Sequence, residues 1–192
     1  MGCDIHMYCE ELNCNGEWIN KDHFKFCEYS EEREYRRVEL CGRRNYSMFT
    51  ALCGVRDYSG ESPKISEPKG VPEDSCSYIQ EECEEMGVDG HSHSSATLGE
   101  VKEFIDNGNY PIFSGLLSPQ QAKELDQGIF PSEWCQGTSA SDYVHRTWTN
   151  TSIDNPLTDL YEAMKARYVE GNYKDLDELD LDHFRIVFWF DN

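Results

Sequence analysis

The run Arg185-Ile186-Val187-Phe188-Trp189-Phe190-Asp191-Asn192 closes the sequence, and its reading decides the fold. Five apolar residues follow one another here, three of them aromatic, with no alternation of apolar and polar. A strand of this kind is buried on both faces, so it is expected at the centre of a sheet. A neighbour is expected from the other end of the chain. Cys3, Ile5, Met7 and Cys9 alternate with Asp4, His6, Tyr8 and Glu10, as in a half-buried strand. Asn15-Gly16 then signals a hairpin, and Glu17-Trp18-Ile19 begins the return strand.

Between these ends the pattern turns helical. Met48, Phe49 and Leu52 recur at helical spacing after Asn45, and Gly54 stops them. Residues 57–71, broken by Gly60, Pro63, Pro68 and Gly70, read as loop. Pro72 is expected to open a second helix that runs to Gly87. Thr97-Leu98-Gly99-Glu100 is a capping box for a third, ended by Gly108, and Ser118-Pro119 opens a fourth that stops at Gly128. Asn155-Pro156 opens a last one, with Gly171 as its stop. The charged stretch Glu28 to Arg37 reads as a solvated connection or frayed edge, and Asp175 to Asp182 as an exposed acidic segment. The expected architecture is a single α+β domain over residues 1–192. It has an N-terminal β-hairpin and a C-terminal core strand in a mainly antiparallel sheet, with four to five helices.

Seventeen basic residues against 37 acidic ones leave a formal charge of -20. That excludes broad binding to a nucleic-acid backbone and disfavours anionic membranes. It leaves two uses: solubility, or an acidic face that meets a basic partner as a nucleic-acid mimic. Nine cysteines without a Cys-x-x-Cys pair, behind a polar and interrupted start, point to free thiols in a reducing cytoplasm.

Chemistry concentrates in two short motifs. Asp4 and His6, two apart on a strand, share a face and are candidate ligands for a divalent metal, with Asp191 as a third if the terminal strands are neighbours; a strand face that simply meets water is the plainer alternative. Asp89-Gly90-His91-Ser92-His93-Ser94 reads as a loop feeding a helix N-terminus, a setting that favours anions. His91, His93 and Asp89 are candidate acid–base groups there, with Ser94 as a ligand contact or only a helix cap. Six of the nine arginines fall between Arg33 and Arg56. Arg43 and Arg44 are candidates to hold a ligand phosphate, while Arg33, Arg36 and Arg37 suit ion pairs with neighbouring glutamates. No P-loop, nucleophile elbow, dinucleotide fingerprint or zinc-ribbon spacing is present.

Gly2-Cys3-Asp4-Ile5-His6, Arg44-Asn45-Tyr46, Asp89 to Ser94 and Arg185 to Asn192 together resemble a family of bacteriophage and prophage proteins. The likeness runs from first residue to last, with the middle most variable. It implies a phage accessory protein and brings no activity with it. Gly90-His91-Ser92-His93 and the early Asp-x-His also resemble motifs of calcineurin-like metallophosphoesterases, whose Gly-Asp and Gly-Asn-His motifs are missing here. The expected function is therefore an Asp/His pocket that binds, and hydrolyses with a divalent metal, a phosphorylated nucleotide-like ligand. Counteracting a host defence would suit the phage setting. The alternative is a non-catalytic acidic inhibitor of a basic host protein.

Overall fold

The computed structural model describes residues 2–27, 34–41 and 44–191. In chain order its elements are β1 (Asp4–Leu12), β2 (Trp18–Asn20), β3 (His23–Phe26), β4 (Tyr35–Val38), α1 (Tyr46–Cys53) and α2 (Ser77–Met86). β5 (His91–Thr97), α3 (Leu98–Asp106), β6 (Ile112–Leu117), α4 (Pro119–Leu125), β7 (Val144–Thr149), α5 (Thr158–Asn172) and β8 (Phe184–Asp191) follow. The main sheet is ordered β2-β1-β8-β5, and β3-β4 and β6-β7 form two smaller sheets. Every strand pair is antiparallel. This is the α+β architecture expected, with five α-helices.

The unbroken apolar run of β8 has a direct cause: helices cover both faces of the sheet. Phe184, Ile186, Phe188 and Phe190 enter the larger core with Phe49 and Leu52 of α1, Leu98 and Val101 of α3, and Leu160 and Met164 of α5. Val187 and Trp189 enter a smaller core on the opposite face with Tyr8 and Ile79 of α2. The β1 face carrying Tyr8 and Glu10 is thereby covered too, so Met7 through Glu10 are all buried and the strand is more than half-buried.

Local signals set most helix ends. The Asn45 side chain accepts from the Met48 N–H at 3.1 Å, and Gly54 ends α1 at φ 73°. Capping boxes at Thr97 and Ser118 open α3 and α4. Three expectations shift. α2 begins at Ser77 rather than Pro72, because Pro72 to Ser75 closes a turn and the Cys76 N–H donates to Glu10 Oε1 at 2.6 Å. α5 passes through Gly171 and ends at Tyr173 in the left-handed region. His91 to Ser94 is not loop but the start of β5, since the edge of β8 supplies hydrogen-bond partners that an apolar pattern does not announce. Of the charged stretch Glu28 to Arg37, residues 35–37 belong to β4, and residues 28–33 lie outside the described residues. The β6-β7 pair, over a small core of Leu117, Ala122 and Trp148, is an element that sequence pattern did not reveal.

Among the described residues no helix is long and apolar enough to cross a membrane.

Candidate functional site

The start of β1 and the end of β8 meet because the two strands are antiparallel, with Asp4 opposite Asp191 and His6 opposite Trp189. The Asp4 N–H donates to Asp191 Oδ1 at 3.2 Å, and His6 Nε2 lies 3.1 Å from Asp191 Oδ2. Arg44, just before α1, grips the Asp4 carboxylate with two donors, Nε at 2.8 Å and Nη2 at 2.6 Å. Those hydrogen bonds hold the Asp4 carboxyl below its ordinary range and push the Arg44 guanidinium up. Asp4, His6, Asp191 and Arg44 thus form one contiguous polar group.

The second motif lies one strand away, on β5. His91 pairs with Phe190, and the register slips between His91 and Ser94, where Ser92 takes φ 53°. That bulge sets the two imidazoles on different neighbours: His91 stacks on Phe190 at 6.0 Å, and His93 lies 5.7 Å from Trp189. Trp189 also stacks on His6, at 6.1 Å and 16°. Both motifs therefore reach the same end of the sheet and touch the same indole, but β8 stands between their strands. The Nε2 atoms of His91 and His93 are buried without a hydrogen-bond partner. Burial, and then neighbouring His91, lower the His93 pKa.

Ser94 is buried and shares a 2.9 Å hydrogen bond with Ser66. Asp89 is exposed in the 3-10 turn before β5, and Arg43 lies outside the described residues. Among the described residues no three or more His, Cys, Asp or Glu side chains are grouped to hold a metal ion. Asp4 is engaged by Arg44, and His6 with Asp191.

Arg44 also borders a cleft of about 710 Å³. The cleft takes in the opening turn of α1 from Asn45 to Met48, the side chains of Arg56 and Tyr58, the start of β6 from Pro111 to Ser114, and Trp134 with Gln136. A helix's first turn offers N–H groups that have no partner within the helix, and its dipole favours an anion. Arg56 adopts a left-handed backbone at φ 64°, uncommon for a residue with a side chain. Its guanidinium lies 5.5 Å over the Tyr46 ring, and a hydrogen bond with Tyr58 raises its pKa.

The aromatic part of the cleft is built by close approach. A Cβ at Gly115 would stand 2.5 Å from Trp134 Cδ1 and 2.8 Å from the Cys135 carbonyl, so only glycine lets Trp134 settle on β6. Leu116 and Cys135 exchange backbone hydrogen bonds beside it, at 2.8 and 3.2 Å. Trp134 meets Phe113 and Trp148 at 5.3 Å each and still leaves 37% of its surface exposed. Arg56, Tyr58, Phe113 and Trp134 were not among the candidates read from sequence. The clustering of arginines in an acidic chain was the one signal that pointed toward Arg56.

Compared with protein-family models, with curated proteins and with solved structures, the chain matches none.

Proposed function

We propose that this chain binds a phosphorylated, nucleotide-like small molecule in the cleft bordered by α1, β6 and Trp134. One observation carries the reading: a single concavity holds two guanidinium groups, a helix N-terminus and exposed aromatic rings. Guanidinium forks suit phosphate oxygens, and a ring such as Trp134 accepts the flat face of a base. The charge of -20 does not forbid an anion. Salt screens distant carboxylates over about 10 Å at 0.1 M, whereas Arg44 and Arg56 would touch the ligand.

For hydrolysis, His6 is the group to move a proton, oriented by Asp191 and linked to Arg44 through Asp4. His93 lies against Trp189 and His91 against Phe190, with β8 between them and His6, so binding is better supported than turnover. In the phage setting that the motif likeness implies, such a protein would withdraw a host nucleotide signal.

The test is a thermal-shift panel of inorganic phosphate, nucleoside monophosphates and cyclic nucleotides, with and without magnesium or manganese, on wild type and on Arg44→Ala/Arg56→Ala. A nucleotide that stabilises wild type and not the double variant supports the reading. Equal shifts in both proteins, or none in either, ends it.

A second reading rests on the outer face of α2, where Glu81, Glu84 and Glu85 are all exposed. Such a face suits a basic host protein, and it does not involve the cleft. Charge reversal at these three glutamates would remove that binding and leave ligand shifts untouched.

A further inference from the structure

We infer that the Asp4 carboxylate is a built-in occupant of the Arg44 phosphate position, and that a ligand must displace it to bind. The inference rests on the cleft reading above, and it concerns regulation of that site. Asp4 presents two oxygens to two donors of one guanidinium, at 2.8 and 2.6 Å. A phosphate group meets a guanidinium with the same two-point geometry, so the two anions compete for one fork.

Three features make the exchange practicable. Both side chains are well exposed, at 46% for Arg44 and 58% for Asp4, so the pair is of the weak surface kind. The Asp4 main chain is fixed independently, in register with Asp191 and donating to its side chain, so only the Asp4 carboxylate need swing away. Arg44 meanwhile lies against the backbone of Gly2, where an added Cβ would come within 2.5 Å of Nη1. That contact with Gly2 does not involve Asp4, so it is still available to the guanidinium when its partner leaves. Asp4 then acts as a threshold: it turns away weak anions and yields to a ligand that gains further contacts from Arg56 and the cleft's rings.

Calorimetric titration with inorganic phosphate and with adenosine monophosphate tests this on wild type, Asp4→Asn, Arg44→Ala and the Asp4→Asn/Arg44→Ala double variant. Asp4→Asn is expected to bind inorganic phosphate about threefold tighter than wild type, the scale of one exposed ion pair, and the double variant should lose that gain. Asp4→Ala should repeat the gain and stands in if the asparagine variant does not fold. If wild type binds and Asp4→Asn binds no tighter, the competition is overturned while the cleft reading stands. A gain that survives in the double variant also overturns it, since the effect would then be general charge. No binding by wild type or Asp4→Asn removes the cleft reading and the inference together.

Discussion

Arg185 of β8 donates from Nε to Glu10 of β1 at 2.9 Å, directly across the strand pair, with both side chains almost wholly out of solvent. Glu10 also accepts from the Ser75 hydroxyl at 3.2 Å and from the Cys76 N–H at 2.6 Å, so it ties the entry of α2 to the sheet. Arg185 in turn lies 3.8 Å over the Trp18 ring and donates to Asp74. Removing one member of such a pair leaves the other charged and buried. Glu10→Ala is expected to cost about 3–5 kcal/mol of unfolding free energy, measured by urea denaturation. A loss below about 1 kcal/mol would show that Glu10 is dispensable.

His93 gives a prediction about pH. Burial lowers its pKa from the ordinary 6.5, so below that value the unfolded chain binds a proton that the folded chain resists. Stability contributed by neutral His93 is thus full above 6.5 and falls as the pH drops from 6.5 toward the folded value. Urea midpoints from about pH 7.5 down to about 5 should decline for wild type, and less steeply for His93→Gln. Parallel curves for the two proteins would contradict this.

Gly115→Ala should disturb the cleft without touching its charged groups. The new methyl meets Trp134 and the Cys135 carbonyl, so overpacking of about 1–3 kcal/mol is expected, and Trp134 must lift from β6. Circular dichroism melts and tryptophan emission would report both effects. An unchanged melt and spectrum would show that the Trp134 seat is softer than its contacts imply.

Thr97→Ala probes the capping box of α3, in which the Thr97 hydroxyl accepts from the Glu100 N–H at 3.1 Å and the Thr97 N–H donates to the Glu100 carboxylate at 2.8 Å. A loss of about 1 kcal/mol is expected on denaturation. The hydroxyl also donates to Asp182 at 2.7 Å, so in a double-mutant cycle Asp182→Ala should cost less in the Thr97→Ala background than in wild type.

What could be read in advance divides along a physical line. Signals carried by a few adjacent residues were legible: the apolar run of β8, Asn45 and Gly54 around α1, and the boxes at Thr97 and Ser118. Features decided by distant partners were not. His91-Ser92-His93-Ser94-Ser95 has no apolar residue to mark a strand, yet it pairs with β8, whose free edge needs partners. β6 and β7 lie outside the main sheet and, among the described residues, pair with each other and through one bridge to Cys135, so neither shows a strong stripe.

The site divides the same way. Asp4, His6 and Asp191 come together through a register that the terminal strands made legible, and Arg44 joins them. The cleft draws its lining from four separate stretches, around Arg44 to Met48 and Arg56, Pro111 to Ser114, Trp134 with Gln136, and Pro156 with Asp159, which no local spacing connects.

The most direct measurement is a crystal structure of the chain grown with a nucleoside monophosphate. The phosphate is expected against Arg44 and the first turn of α1, with the base on Trp134 and the Asp4 carboxylate turned away. A nucleotide bound elsewhere, or an empty cleft with Asp4 still paired to Arg44 at saturating ligand, would contradict the proposed function.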